Sequence, residues 1–144
     1  MVAIIRPDSW NFPLFLHVLG ATAVTGATAA AFVGAVWSRR WPWLRRIVAR
    51  TLFFAVFPAW LLMRLAGAWE DSRSPIGNGS TWLGIGYIVG DAGFVLLIVA
   101  MILGAVGVRR AERRWPIQGV AVITGVYFVA LVVAMFAMTG KPGS

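Results

Sequence analysis

Phe12-Pro13-Leu14-Phe15-Leu16-His17-Val18-Leu19-Gly20-Ala21-Thr22-Ala23-Val24-Thr25-Gly26-Ala27-Thr28-Ala29-Ala30-Ala31-Phe32-Val33-Gly34-Ala35-Val36-Trp37 decides how this chain is read. The stretch holds about 26 residues without a charge. At a rise of roughly 1.5 Å per helical residue it crosses a hydrocarbon core of roughly 30 Å. It also contains His17, the single histidine of the protein. Trp10 and Trp37 bracket it at positions suited to the two membrane–water interfaces, and Pro13 is expected in its first turn, where a missing N–H costs little. Thr22, Gly26, Ala30 and Gly34 recur every fourth residue as a small-residue ridge that lets a neighbouring helix come close. His17 lies roughly 140° around the helix from the top of that ridge, on a stripe with Ala21, Val24 and Thr28.

Working outward from this span, three more apolar stretches predict helices over about 47–69, 82–108 and 117–139. Pro58 falls in the middle of the second and is expected to kink it, releasing the carbonyl of Phe54. The third carries a Gly86/Gly90 pair with G-x-x-x-G spacing, a second candidate packing site. The segment from Glu70 to Ser80, with Pro75 and Gly77-Asn78-Gly79, reads as a loop. Asn78-Gly79-Ser80 fits a glycosylation sequon, which a bacterial protein would not use. The expected fold is an all-α membrane protein, a four-transmembrane-helix bundle built of two helical hairpins in a single transmembrane domain.

Composition agrees. The 144 residues are 60% hydrophobic and 12% charged, with a mean hydropathy of +0.81, where soluble domains carry about 25% charged residues. With no cysteine, the chain has no disulfide, thiolate metal site or cysteine nucleophile. No nucleotide-binding loop, zinc motif or Ser-His-Asp arrangement is present. The net charge of +8 comes from arginines in the turns between spans. It therefore points to anionic lipid headgroups and not to nucleic acid.

Those arginines also orient the chain. Arg39, Arg40, Arg45, Arg46 and Arg50 cluster at the first connection, and Arg109, Arg110, Arg113 and Arg114 at the third. The second connection holds Arg73 beside Glu70 and Asp71. By the positive-inside rule the basic turns face the cytoplasm and both termini lie outside. The start, Met1-Val2-Ala3-Ile4-Ile5, lacks the basic residues of a cleavable signal. The preference for arginine over lysine fits a GC-rich bacterial genome, so the expected location is a bacterial cytoplasmic membrane. Arg39-Arg40-Trp41-Pro42 recurs as Arg113-Arg114-Trp115-Pro116, an echo that two related hairpins would leave. The same offset carries His17 onto Asp91.

His17, Arg64 and Asp91 are the ionisable residues within spans. Counting helical rise from the basic turns places all three about 25–30 Å from the inner face, in one polar layer. Asp91 accepting from Arg64, with His17 and Tyr87 completing the network, would satisfy that layer. Alternatively, Arg64 snorkels toward Trp69 with Trp60 as a cation–π neighbour. Metal chemistry has candidates in His17, Met63, Met135 and Met138, since imidazole and thioether suit haem iron or Cu(I).

Phe15-Leu16-His17-Val18-Leu19-Gly20-Ala21 and Trp82-Leu83-Gly84-Ile85-Gly86-Tyr87-Ile88-Val89-Gly90-Asp91-Ala92-Gly93 together resemble an actinobacterial family of predicted integral membrane proteins with four spans. The resemblance implies that fold over nearly the whole chain and no particular activity. More remotely, the L-H-x-x-G start of the first span resembles the HemJ-type protoporphyrinogen oxidases and the CopD-type copper resistance proteins, which place a functional histidine in such a helix. The present chain continues with Val24-Thr25-Gly26-Ala27 where those relatives carry a tryptophan-glycine-glycine type sequence.

Three classes of function remain. In the first, an accessory or binding membrane protein carries a structural polar layer, docks to a larger complex or self-associates, and needs no cofactor. The others are a small-solute or proton-coupled transporter and a haem- or copper-dependent redox protein.

Overall fold

The structure, a computed structural model, describes residues 8–73 and 81–140. The Asn78 sequon and the Pro75 and Gly77 turn signals lie outside these residues. Helix α1 spans Asp8–Trp37. A second span is built of α2 (Leu44–Thr51), a π-helical segment (Leu52–Val56) and α3 (Phe57–Arg73). Helices α4 (Thr81–Arg109) and α5 (Trp115–Gly140) complete an all-α four-helix bundle. Phe12–Trp37, Leu44–Ser72, Gly84–Arg109 and Trp115–Thr139 are each long and apolar enough to cross a bilayer. Large apolar side chains such as Phe54, Ile88 and Phe136 stand exposed on their outer surfaces. Such surfaces suit lipid and would be liabilities in water. This is the architecture of a multi-pass membrane protein.

The elements follow from local chemistry. Helix α1 starts at Asp8, earlier than expected, so Pro13 lies inside it and not in its first turn. Pro13 is buried, and it has no N–H to donate to the Ser9 carbonyl one turn back. Pro58 likewise supplies no N–H. The chain widens just before it, where the Phe57 N–H reaches back to the Leu52 carbonyl across a π turn. Helix α3 runs on to Arg73, so Glu70, Asp71 and Ser72 are helical and not part of a loop.

The core is a column of Val24, Ala31, Val48, Leu52, Val56, Leu97, Ala100, Val120, Tyr127 and Leu131. Helix α1 packs against α3 and α5, and α4 packs along α5. Span two meets α4 chiefly through α2, at the end carrying the basic turns, and α3 and α4 barely touch. A seam therefore opens between α3 and α4 toward the opposite end.

The packing face of α1 differs from the expected ridge. Gly26 would find nothing within 4 Å of an added Cβ, and Thr22 and Ala30 are exposed. Gly34 does meet span two, at Val48 Cγ2. The buried face runs through Gly20, Val24, Thr28, Ala31 and Ala35, which is the stripe His17 belongs to. Close approach is instead made at Gly20, where a Cβ would stand 2.5 Å from the Met63 backbone nitrogen. Gly93 does the same at the α4–α5 junction, where a Cβ would stand 2.4 Å from the Tyr127 hydroxyl. The Gly86/Gly90 pair meets side chains only: Gly86 faces the tip of Met138, and a Cβ at Gly90 would lie 3.9 Å from Arg64 Cδ.

Candidate functional site

The α3–α4 seam is crossed by side chains. Arg64 Nε donates to Asp91 Oδ1 at 3.0 Å. Two turns further along α3, Asp71 accepts at Oδ2 from the Tyr87 hydroxyl, also at 3.0 Å. Arg64 lies over the Tyr87 ring, its Cζ 5.1 Å from the centroid, and thus joins both contacts. One turn below, the Trp60 indole Nε1 donates to the Gly90 carbonyl at 3.0 Å and its ring stacks on Phe94 at 4.9 Å.

The spacing explains the ladder. On α3, Trp60, Arg64 and Asp71 are separated by four and seven residues and share one face. On α4, Tyr87, Asp91 and Phe94 are separated by four and three residues and likewise share one face. Because the helices run antiparallel, Asp71 meets Tyr87, Arg64 meets Asp91, and Trp60 meets Phe94.

Of the expected layer, the structure brings Arg64, Asp91 and Tyr87 together and leaves His17 apart. His17 Nδ1–H donates to the Met63 carbonyl at 2.8 Å, on the α1 side of α3. A carbonyl can only accept, so Nδ1 carries the proton of this contact. The ring occupies the space beside Gly67, where a Cβ would come within 2.9 Å of Nδ1. The aromatic neighbour of Arg64 is Tyr87, and Trp60 serves the Gly90 carbonyl instead. His17 and Asp91, equivalent under the sequence echo, both reach the same turn of α3. In a strict hairpin repeat Asp91 would face α5, so the echo does not extend to these contacts.

The pair is uneven in cover. The Arg64 side chain is 32% exposed and that of Asp91 62%, so the carboxylate lies at the open edge of the seam. A charge there is tolerable because its partner sits on the facing helix.

The metal candidates do not converge. The Met135 sulfur accepts from Thr25 of α1 at 3.5 Å, whereas the Met138 methyl abuts Gly86 of α4. Met63 is buried, and its backbone holds His17. Among the described residues no group of three His, Asp or Glu side chains is placed to hold a metal ion.

Two contacts between elements lay beyond sequence reasoning. Asp71 belongs to the ladder, and its spacing of seven from Arg64 was the available signal. Arg45 is not a headgroup-facing side chain: it is 7% exposed and Nη1 donates to the carbonyls of Ala111 and Arg113 in the other basic turn. Comparison with family models, curated proteins and solved structures gave no match to this chain.

Proposed function

We propose that this is an accessory membrane protein, a four-span helical unit of a bacterial cytoplasmic membrane whose intramembrane polar groups serve architecture. The observation that carries the reading is that His17, Arg64 and Asp91, the ionisable groups expected in the polar layer, each end on a partner from another helix, His17 on Met63 and Arg64 on Asp91. Basic turns at one end support an orientation with both termini outside and the arginines at the cytoplasmic headgroups. The resemblance to the actinobacterial four-span family fits this reading. The outward-facing ridge of Thr22, Gly26 and Ala30 suits association with a further copy or a larger complex.

The test is Asp91→Asn in detergent-purified protein and in vesicles. The structural reading expects a lowered Tm and a wild-type proton flux no greater than that of empty vesicles. Undiminished stability together with an Asp91-dependent flux would overturn it. Such a result would support proton-linked transport, the reading that the exposure of Asp91 favours.

A further inference from the structure

On the surface where span two and α4 meet near the basic turns, two adjoining grooves of about 320 and 360 Å³ share Phe53, Ala105 and Arg109 as walls. Their chemistry changes along their length. Away from the turns the lining is hydrocarbon, with Ile98, Met101 and Ile102 facing Phe53. At the turns it becomes cationic, with Arg46 and Arg50 on one wall and Arg109 on the other.

Helical spacing builds this gradient. Arg46, Arg50 and Phe53 follow one another on the same face of span two, as do Ile98, Ile102, Ala105 and Arg109 on α4. Ala49 packs on Gly104, where a Cβ would lie 3.7 Å from both Ala49 Cα and Cβ. The two walls are therefore held close while the small Ala105 leaves the slot open. Among the described residues, Arg46, Arg50 and Arg109 make no ion pair or side-chain hydrogen bond. Arg45, by contrast, is used internally.

Three uncompensated guanidiniums at one end of an apolar slot match one kind of membrane component, an anionic headgroup carrying an acyl chain. We propose that this groove is a binding site for one anionic glycerophospholipid. Arg46, Arg50 and Arg109 hold the phosphate, and the slot between Phe53 and Ala105 holds the upper part of a chain. Guanidinium forks suit phosphate oxygens, and basic pockets between spans select anionic headgroups. The proposal rests on the membrane reading above, but on neither the sidedness of the chain nor any activity.

Native mass spectrometry of the protein in non-ionic detergent tests it, with dioleoyl phosphatidylglycerol, the corresponding phosphatidylcholine and glycerol 3-phosphate as probes. Wild-type protein should retain one phosphatidylglycerol at a concentration at least tenfold lower than phosphatidylcholine, and should not retain glycerol 3-phosphate at that level. The combined Arg46→Gln, Arg50→Gln and Arg109→Gln variant should lose at least tenfold. Neutralising Arg39, Arg40 and Arg114 instead should change binding less than twofold. Ala105→Trp, which fills the slot with the charges intact, should also weaken retention.

Equal binding of the two lipids, equal losses from the two arginine sets, or retention of glycerol 3-phosphate at the lipid's concentration would each overturn the site. The first and third comparisons use wild-type protein, so they do not depend on a variant folding. Failure of the membrane reading itself would appear separately, as release of the chain from membranes in alkaline carbonate.

Discussion

Arg64 of α3 and Asp91 of α4 meet at 3.0 Å across the junction where the two helices otherwise barely touch. Elsewhere in the bundle, helices close on glycines: at Gly20 α1 meets the Met63 backbone of α3, and at Gly93 α4 meets the Tyr127 side chain of α5. The α3–α4 seam has no such contact and is bridged by long polar and aromatic side chains. Lipid offers no hydrophobic drive for helices to associate, so packing and interhelical hydrogen bonds must supply it. The ladder of Asp71–Tyr87, Arg64–Asp91 and Trp60–Gly90 is this seam's share.

Glycine substitutions on α1 and α3 should separate the packing face from the outward ridge. Gly20→Ala sets a Cβ against the Met63 backbone, which cannot swing aside, and should cost on the order of 1–3 kcal/mol. Gly67→Ala should displace the His17 ring and be partly relieved when combined with His17→Ala, a less-than-additive pair. Gly26→Ala meets open space and gains helix propensity, so it should be neutral or stabilising by up to about 1 kcal/mol. Denaturation in mixed micelles ranks the three.

What could be read from the chain, and what could not, divides along physical lines. The spans were legible because length and apolarity alone define them. Arg64 and Asp91 sharing a level was legible because helical rise converts residue counts to depth. The partner of His17 was not, because it is a backbone carbonyl, and every residue supplies one. Four-residue spacing of small residues shows that a helix has a smooth face, but not whether a helix or lipid covers it. Gly26 and Ala30 thus looked like packing positions, while the isolated Gly20 and Gly67 make the close contact. Asp71 was hidden because Glu70 to Arg73 is polar enough to resemble loop.

Arg45 should behave unlike the other arginines of its turn. Its guanidinium bridges two connections through the Ala111 and Arg113 carbonyls, and hydrogen bonds to a charged group are worth about 1.5–3 kcal/mol. Arg45→Gln should lose an amount of that order in the same unfolding assay, whereas exposed Arg40→Gln should stay within about 0.5 kcal/mol of wild type.

Orientation can be read directly, since the native chain has no cysteine. In intact cells, an impermeant thiol reagent should label Ser72→Cys and leave Glu112→Cys unlabelled until the membrane is broken. Both side chains are exposed and lie at opposite ends of the bundle. Reversed labelling would place the basic turns outside.

The seam ladder is tested most directly by a double-mutant cycle on Arg64→Gln and Asp91→Asn, read as unfolding free energy in micelles. Interhelical hydrogen bonds in membrane proteins couple by about 0.6 kcal/mol on average and about 1.7 at most. A coupling within that range, with each single variant less stable than wild type, is the expected result. Strictly additive effects, or single variants as stable as wild type, would contradict the claim that Arg64 and Asp91 hold α3 to α4.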